Sequence, residues 1–225
     1  MIRYKSVFLW LPLCVAACVM SAAPAAAVLI TRTLNQQITA VPDGPNQMYD
    51  LDVDQDGTTD FTFRSLIGVT DDPTFASFAD IKPPFATING VVIDSLTGDG
   101  FPTASRLLPG AVVSSASLFS GNNDLGNLSS QFFPDPPTGN FQNQTGFVGF
   151  QFQRLGSTHY GFAQVTVNDL IATQDPLAVT IVAVSYESVA GQATTVTAVP
   201  EPASLALAGM GLAALAARTR RRLTV

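Results

Sequence analysis

The chain has 225 residues, with 17 acidic against 11 basic and a net charge of −6, a length that holds one ordinary domain plus processing segments. Most of the basic residues sit at the two ends, so residues 28 to 199 carry sixteen acidic residues against five basic ones. An acidic body with no basic stripe argues against nucleic-acid binding, which draws most of its non-specific affinity from Lys and Arg contacts to phosphates, and makes cations the natural charged partners.

At the N-terminus Arg3 and Lys5 precede an apolar run from Val7 to Met20, and SAAPAAA then places Ala25 and Ala27 as an A-x-A pair. This is the pattern of a secretory signal peptide, residues 1–27, cleaved after Ala27. Val15-Ala16-Ala17-Cys18 also resembles a lipobox, which would make Cys18 the lipidated first residue of a membrane-anchored lipoprotein. Cys14 is lost on either path. Cleavage after Ala27 removes Cys18 too, which excludes disulfides, thiolate metal sites and a cysteine nucleophile from the mature chain.

The body, residues 28–199, contains the acidic stretch LDVDQDGTTDF at residues 51–61. Asp52, Asp54, Asp56 and Asp60 stand at positions 1, 3, 5 and 9 of a loop whose sixth residue is Gly57. Calcium takes several hard oxygen ligands, and alternating carboxylates turned back by a glycine can converge on one ion, with Thr58 adding its backbone carbonyl. Phe63 occupies the twelfth position, where a helix-flanked calcium loop has its bidentate Glu, and strand patterns flank the loop. The array resembles the β-hairpin calcium loop of the FG-GAP and integrin-propeller type, in which D-x-D-x-D-G-x-x-D runs directly into an alternating strand, here FTFRS. That resemblance implies a structural calcium ion. The competing reading is an empty polar turn, because Asp and Gly favour hairpins for local reasons. Asp50 joins the four to crowd five carboxylates together with no Lys or Arg before Arg64, and their repulsion favours a bound cation.

Farther along, FASFAD follows Asp71-Asp72-Pro73, a helix-start signal, and reads as one short helix. Everything else is strand and turn. TDFTFRS, GFVGFQFQ, YGFAQVTV and LAVTIVAVSY alternate or are rich in Val, Ile, Thr, Phe and Tyr, and Gly- and Pro-rich clusters separate them. In FVGFQFQRLGSTHYGFAQVTV, Val148, Phe150 and Phe152 share one face and Gly149, Gln151 and Gln153 the other. RLGST then turns the chain into a second strand near Tyr160. AVTIVAVSYE is apolar on both faces, as a strand covered on two sides requires. The single LDVDQDGTTDF copy argues against a propeller, whose blades repeat. The expected fold is all-β, a single β-sandwich or jelly-roll-like domain.

Catalytic constellations are weak. His159 is the sole histidine, it has no G-x-S-x-G elbow to serve, and its expected place is a hairpin with the ring on the sheet surface. Asp94, Asp99 and Glu187 are nominal glycosidase carboxylates that no spacing singles out. One histidine and no mature cysteine argue against zinc. Sugar binding suits a β-sandwich, but the only tryptophan, Trp10, lies in the signal segment.

The C-terminal stretch is VPEPASLALAGMGLAALAARTRRRLTV. Ala203 to Ala217 carries no charge and would cover about 22 Å as a helix, short of a roughly 30 Å hydrocarbon core. Arg218, Arg220, Arg221 and Arg222 follow as a membrane stop that favours the cytoplasmic side, leaving the body outside. Pro200, Glu201 and Pro202 precede the run, and two prolines make a stiff extended strip that a protease can grip. Tripeptide, apolar helix and arginine cluster, here residues 200–225, resemble the PEP-CTERM sorting signal of Gram-negative bacteria. GFVGF, HYG and the strand ending in Tyr186-Glu187 are similar to a segment of secreted proteins of that kind. The resemblance implies an exosortase-type processing protease as partner, transient insertion in the inner membrane, and delivery to the cell surface, outer envelope or extracellular matrix.

The reading that follows is a non-catalytic secreted or surface protein, structural or adhesive, associated with exopolysaccharide or biofilm matrix. The alternatives are a lectin-like carbohydrate-binding module of the same fold and, more remotely, a secreted hydrolase.

Overall fold

The computed structural model describes residues 27–41, 44–69, 75–85, 87–94, 102–120, 126–132, 139–168 and 177–198. The signal segment with Ala25, and the tail with Pro200, Glu201, Pro202 and the Arg218 to Arg222 cluster, lie outside them. Among the described residues the regular structure is all strand.

The strands are β1 (Leu29–Ala40), β2 (Gln47–Leu51), β3 (Phe61–Val69), β4 (Phe75–Lys82), β5 (Gly90–Val91), β6 (Val112–Val113), β7 (Gly126–Phe132), β8 (Gln144–Arg154), β9 (Ser157–Asn168), β10 (Leu177–Glu187) and β11 (Thr194–Thr195). Sheet one runs β1-β10-β9-β8-β5 and sheet two β2-β3-β4-β7, with β11-β6 as a separate ribbon. All strand pairings in these sheets are antiparallel.

The two large sheets close on one main core. Phe61, Phe63, Ile81 and Leu128 enter it from sheet two, and Val148, Phe150, Phe152, Val165, Val179 and Ile181 from sheet one. Phe61 and Phe150 meet across the layers with ring centroids 5.1 Å apart, and burying one such ring stabilises the fold by about 1.5–3 kcal/mol. A second, smaller cluster of Val92, Val113, Phe147, Tyr160, Phe162 and Val196 covers the other face of sheet one. The ribbon and the segment before it pack there. A Cβ on Gly149 would sit 2.8 Å from side-chain carbons of Leu107, Val113 and Val92, so the bare backbone lets this lobe approach. Sheet one is thus covered on both sides, which is why β10, lying between β1 and β9, is apolar on both faces.

The hairpin expected from its sequence is β8–β9, paired from Gln144↔Val167 to Arg154↔Ser157. Its two-residue turn has Leu155 at φ 50° and Gly156 at φ 76°, the two positive φ values of a type I′ turn.

The expected helix at FASFAD is not formed. That segment begins β4, which pairs with β3 on one side and β7 on the other. Ser77, Ala79 and Ile81 are buried at every second position, and on the opposite face Asp80 accepts two bonds from Arg64, Nε to Oδ1 at 2.7 Å and Nη2 to Oδ2 at 2.8 Å. Pairing on both edges and an ion pair to the neighbouring strand outweigh the local helix signal.

Candidate metal centre

The acidic motif forms the β2–β3 connection, residues 52–60, between the strand pairs Leu51↔Phe61 and Asp50↔Thr62. Asp60 N–H donates to the Leu51 carbonyl at 2.9 Å and closes the loop. Inside it the carboxylates organise the backbone. Asp52 Oδ1 accepts from the N–H groups of Gln55 (2.6 Å) and Asp56 (3.2 Å), and its Oδ2 from Gly57 N–H at 2.8 Å. Asp60 Oδ2 accepts from Val53 N–H at 2.8 Å. The path needs positive φ at Gln55 (63°) and Gly57 (90°), and the glycine adopts it without a Cβ penalty.

Asp52, Asp54 and Asp60 each bring a carboxylate oxygen within 4.8 Å of the other two. Two ligands on one calcium ion, each at about 2.4 Å, stand at most about 4.8 Å apart, so the three oxygens fit a single ion. Asp56 lies outside that group among the described residues; it is exposed, and its Oδ1 accepts from the N–H of Thr58, itself exposed, at 2.8 Å. Phe63, at the twelfth position, is fully buried in the core. The donor set fits a hard cation held by three carboxylates, with solvent completing the shell, and such an ion would fix the loop rather than take part in chemistry.

Three residues remote in sequence complete the site. Arg154, at the end of β8, places Nε 3.2 Å from Asp54 Oδ2, while its guanidinium carbon lies 5.8 Å from the centre of the Tyr186 ring. Arg32 of β1 donates from Nη2 to the Asp52 carbonyl at 2.5 Å. Asn89, buried just before β5, donates to the Asp60 carbonyl at 3.2 Å and accepts from Gln153 N–H at 3.0 Å, tying the loop to β8. Nothing near the motif announces these partners, because each reaches it through sheet pairing.

Burial raises the Asp60 carboxyl to about 6, with Asp54, Asp52 and Asp56 adding to the rise against the Val53 N–H. Burial likewise raises Asp54, with Asp56 and Asp52 adding and Arg154 opposing. A cavity of about 340 Å³ opens beside Asp60, lined by Thr58, Thr59, Thr87, Ile88, Asn89 and Gln153 as well.

The other candidates resolve differently. His159 is buried, at 5% exposure, rather than on the surface. Its Nδ1 lies 2.8 Å from the Glu187 carbonyl oxygen, and its ring packs on Phe152 and Tyr186 of the main core, because on the pleat of β9 it shares the core-facing side with Ala163, Val165 and Val167. Glu187 is buried at the end of β10 and accepts from Ser188 Oγ at 3.3 Å. Asp94 follows β5 and accepts from Asn140 Nδ2 at 2.5 Å; Asp99 lies outside the described residues. Phe85 is an exposed aromatic side chain.

The fold and the loop define an all-β, sandwich-like domain with an acidic hairpin suited to a cation. The PEP-CTERM protein-sorting motif matches residues 198–222, covering Pro200, Glu201, Pro202, the apolar run and the arginine cluster. The chain is therefore marked as a secreted protein with a C-terminal, membrane-associated sorting tail that directs it to the cell surface and is processed by an exosortase. No curated protein and no solved structure matches it.

Proposed function

We propose that this protein is a non-catalytic component of the cell surface, structural or adhesive, whose sandwich is delivered by its sorting tail and associates with exopolysaccharide in the surrounding matrix. The sorting motif over residues 198–222 is the observation that carries this reading. An acidic body and a candidate calcium loop support it, since weak calcium sites in extracellular modules serve stability. On this reading Asp52, Asp54 and Asp60 hold calcium, and the ion pins the β2–β3 hairpin against the end of β8 in the manner of the FG-GAP-type loop. Replacing Pro200, Glu201 and Pro202 together with alanine should leave uncut protein in the inner-membrane fraction; undiminished delivery to the surface would contradict the proposal.

A second reading, a carbohydrate-binding module, is favoured by the cavity beside Asp60, a space of about 340 Å³ whose lining includes Thr58, Thr59, Thr87, Asn89 and Gln153, within the lower range of small-ligand sites. A glycan-array signal abolished by Thr87→Val and weakened by Gln153→Ala would promote it over the first.

A further inference from the structure

The chain leaves the body through the small lobe on the outer face of sheet one. β11 pairs with β6, Thr194↔Val113 and Thr195↔Val112. Val196 N–H donates to the Ala111 carbonyl at 2.8 Å, and Gly110 N–H to the Val196 carbonyl at 2.9 Å. The Val196 side chain is buried in the second cluster, and Leu29, at the start of β1, packs against the same cluster. Val28 N–H donates to Ser188 Oγ, and Ser188 N–H to the Val28 carbonyl, both at 3.0 Å. Both ends of the sandwich are thus fastened at one lobe.

Around these exits apolar side chains face outward: Leu108 is 58% exposed, Val112 56% and Val28 55%. Charge is sparse there, and the nearby Glu187 is buried. Leu107 to Ser120 and Ser188 to Ala198 contain no Asp, Glu, Lys or Arg, in a body with sixteen acidic residues. Five peptide steps separate Ala198 from Ala203, where the apolar part of the tail begins, a reach of about 17 Å when fully extended. A body tethered so closely must turn this lobe toward the bilayer that holds the tail.

We propose that the outward face of this lobe, with Leu108 and Val112, is a membrane-docking surface that rests on the lipid headgroup region while the tail is inserted. The inference depends on the sorting-tail reading above. Apolar side chains gain by leaving water at the interface, and anionic headgroups repel the acidic remainder of the body over about a Debye length, so the uncharged lobe is the face that approaches at least cost. Docking would hold Pro200, Glu201 and Pro202 at a fixed height above the membrane, in reach of a membrane-embedded protease.

The test uses the signal-cleaved chain, residues 28–225, which has no cysteine of its own, carrying a single added cysteine in Leu108→Cys, Val112→Cys or Met48→Cys, each labelled with an environment-sensitive fluorophore. Met48 is 57% exposed on β2 of the other sheet and serves as the control. The proteins are reconstituted in phosphatidylethanolamine–phosphatidylglycerol vesicles containing a nitroxide-headgroup lipid. Quenching several-fold stronger at positions 108 and 112 than at 48 is expected. Equal quenching in protein that floats with the vesicles would overturn the docking surface and leave the tail reading standing, whereas protein that does not float would overturn both.

Discussion

Arg154 and Asp54, a hundred residues apart in sequence, meet at 3.2 Å where the tip of the β8–β9 hairpin reaches the β2–β3 loop. The guanidinium sets a fixed positive charge beside a group of three carboxylates and supplies part of the balance that a cation would complete. Arg154→Gln should therefore destabilise the metal-free protein by about 1 kcal/mol, the scale of a partly exposed ion pair. It should also enlarge the stabilisation gained from calcium. Chemical denaturation with and without calcium measures both, and an unchanged calcium increment would show that Arg154 does not share the charge of the loop.

Calcium at 10 mM should raise the melting temperature. With a dissociation constant of about 0.1–1 mM, usual for extracellular modules, the gain is about 1.4–2.7 kcal/mol, or roughly 3–10 °C for a domain of this size. Asp52→Ala should abolish the shift and Asp56→Ala should largely retain it, since Asp56 lies outside the carboxylate group. Equal losses in the two variants would contradict the assignment of ligands.

The pH dependence of the metal-free protein follows from Asp60, whose carboxyl is raised from 3.8 to about 6. Below the unfolded value both states are protonated and the full stability is present. As pH rises, the unfolded chain gives up its proton first, so stability falls through the window from about 4 to about 6 and levels off above it. The loss amounts to about 3 kcal/mol from this one group. Asp60→Asn should flatten the profile; a slope unchanged in that variant would place its origin elsewhere.

The motif and its partners differ in how far the sequence reveals them. Asp52, Asp54 and Asp60 are legible because the loop is local: spacing and Gly57 determine the turn within nine residues. The β8–β9 hairpin is legible for the same reason, with alternation on both arms and Leu155-Gly156 between them. Arg154, Arg32 and Asn89 are invisible from the motif because strand register brings them to it, and register depends on the whole sandwich. FASFAD misleads because Phe75 and Phe78 stand three apart, as on a helix face, while the alternation of Ser77, Ala79 and Ile81 gains meaning only once β3 and β7 flank it. His159 reads as a surface residue until sheet pairing sets its ring against Phe152 and Tyr186 of the main core.

The Arg64–Asp80 pair gives a further test. Asp80 is 3% exposed, and burial raises its carboxyl against the opposing pull of Arg64. Arg64→Ala leaves a buried carboxylate without its partner and should cost about 3–5 kcal/mol, whereas Arg64→Met with Asp80→Leu should recover most of that loss. A single variant as stable as the parent would mean that Asp80 is solvated in solution.

The central claim is that this sandwich leaves the cell held by a temporary tail. Intact-mass spectrometry of protein recovered from the cell surface tests it most directly. The expected mass lacks the signal segment and ends near Val199 to Pro202; surface material that retains the arginine cluster and extends to Val225 would contradict the account.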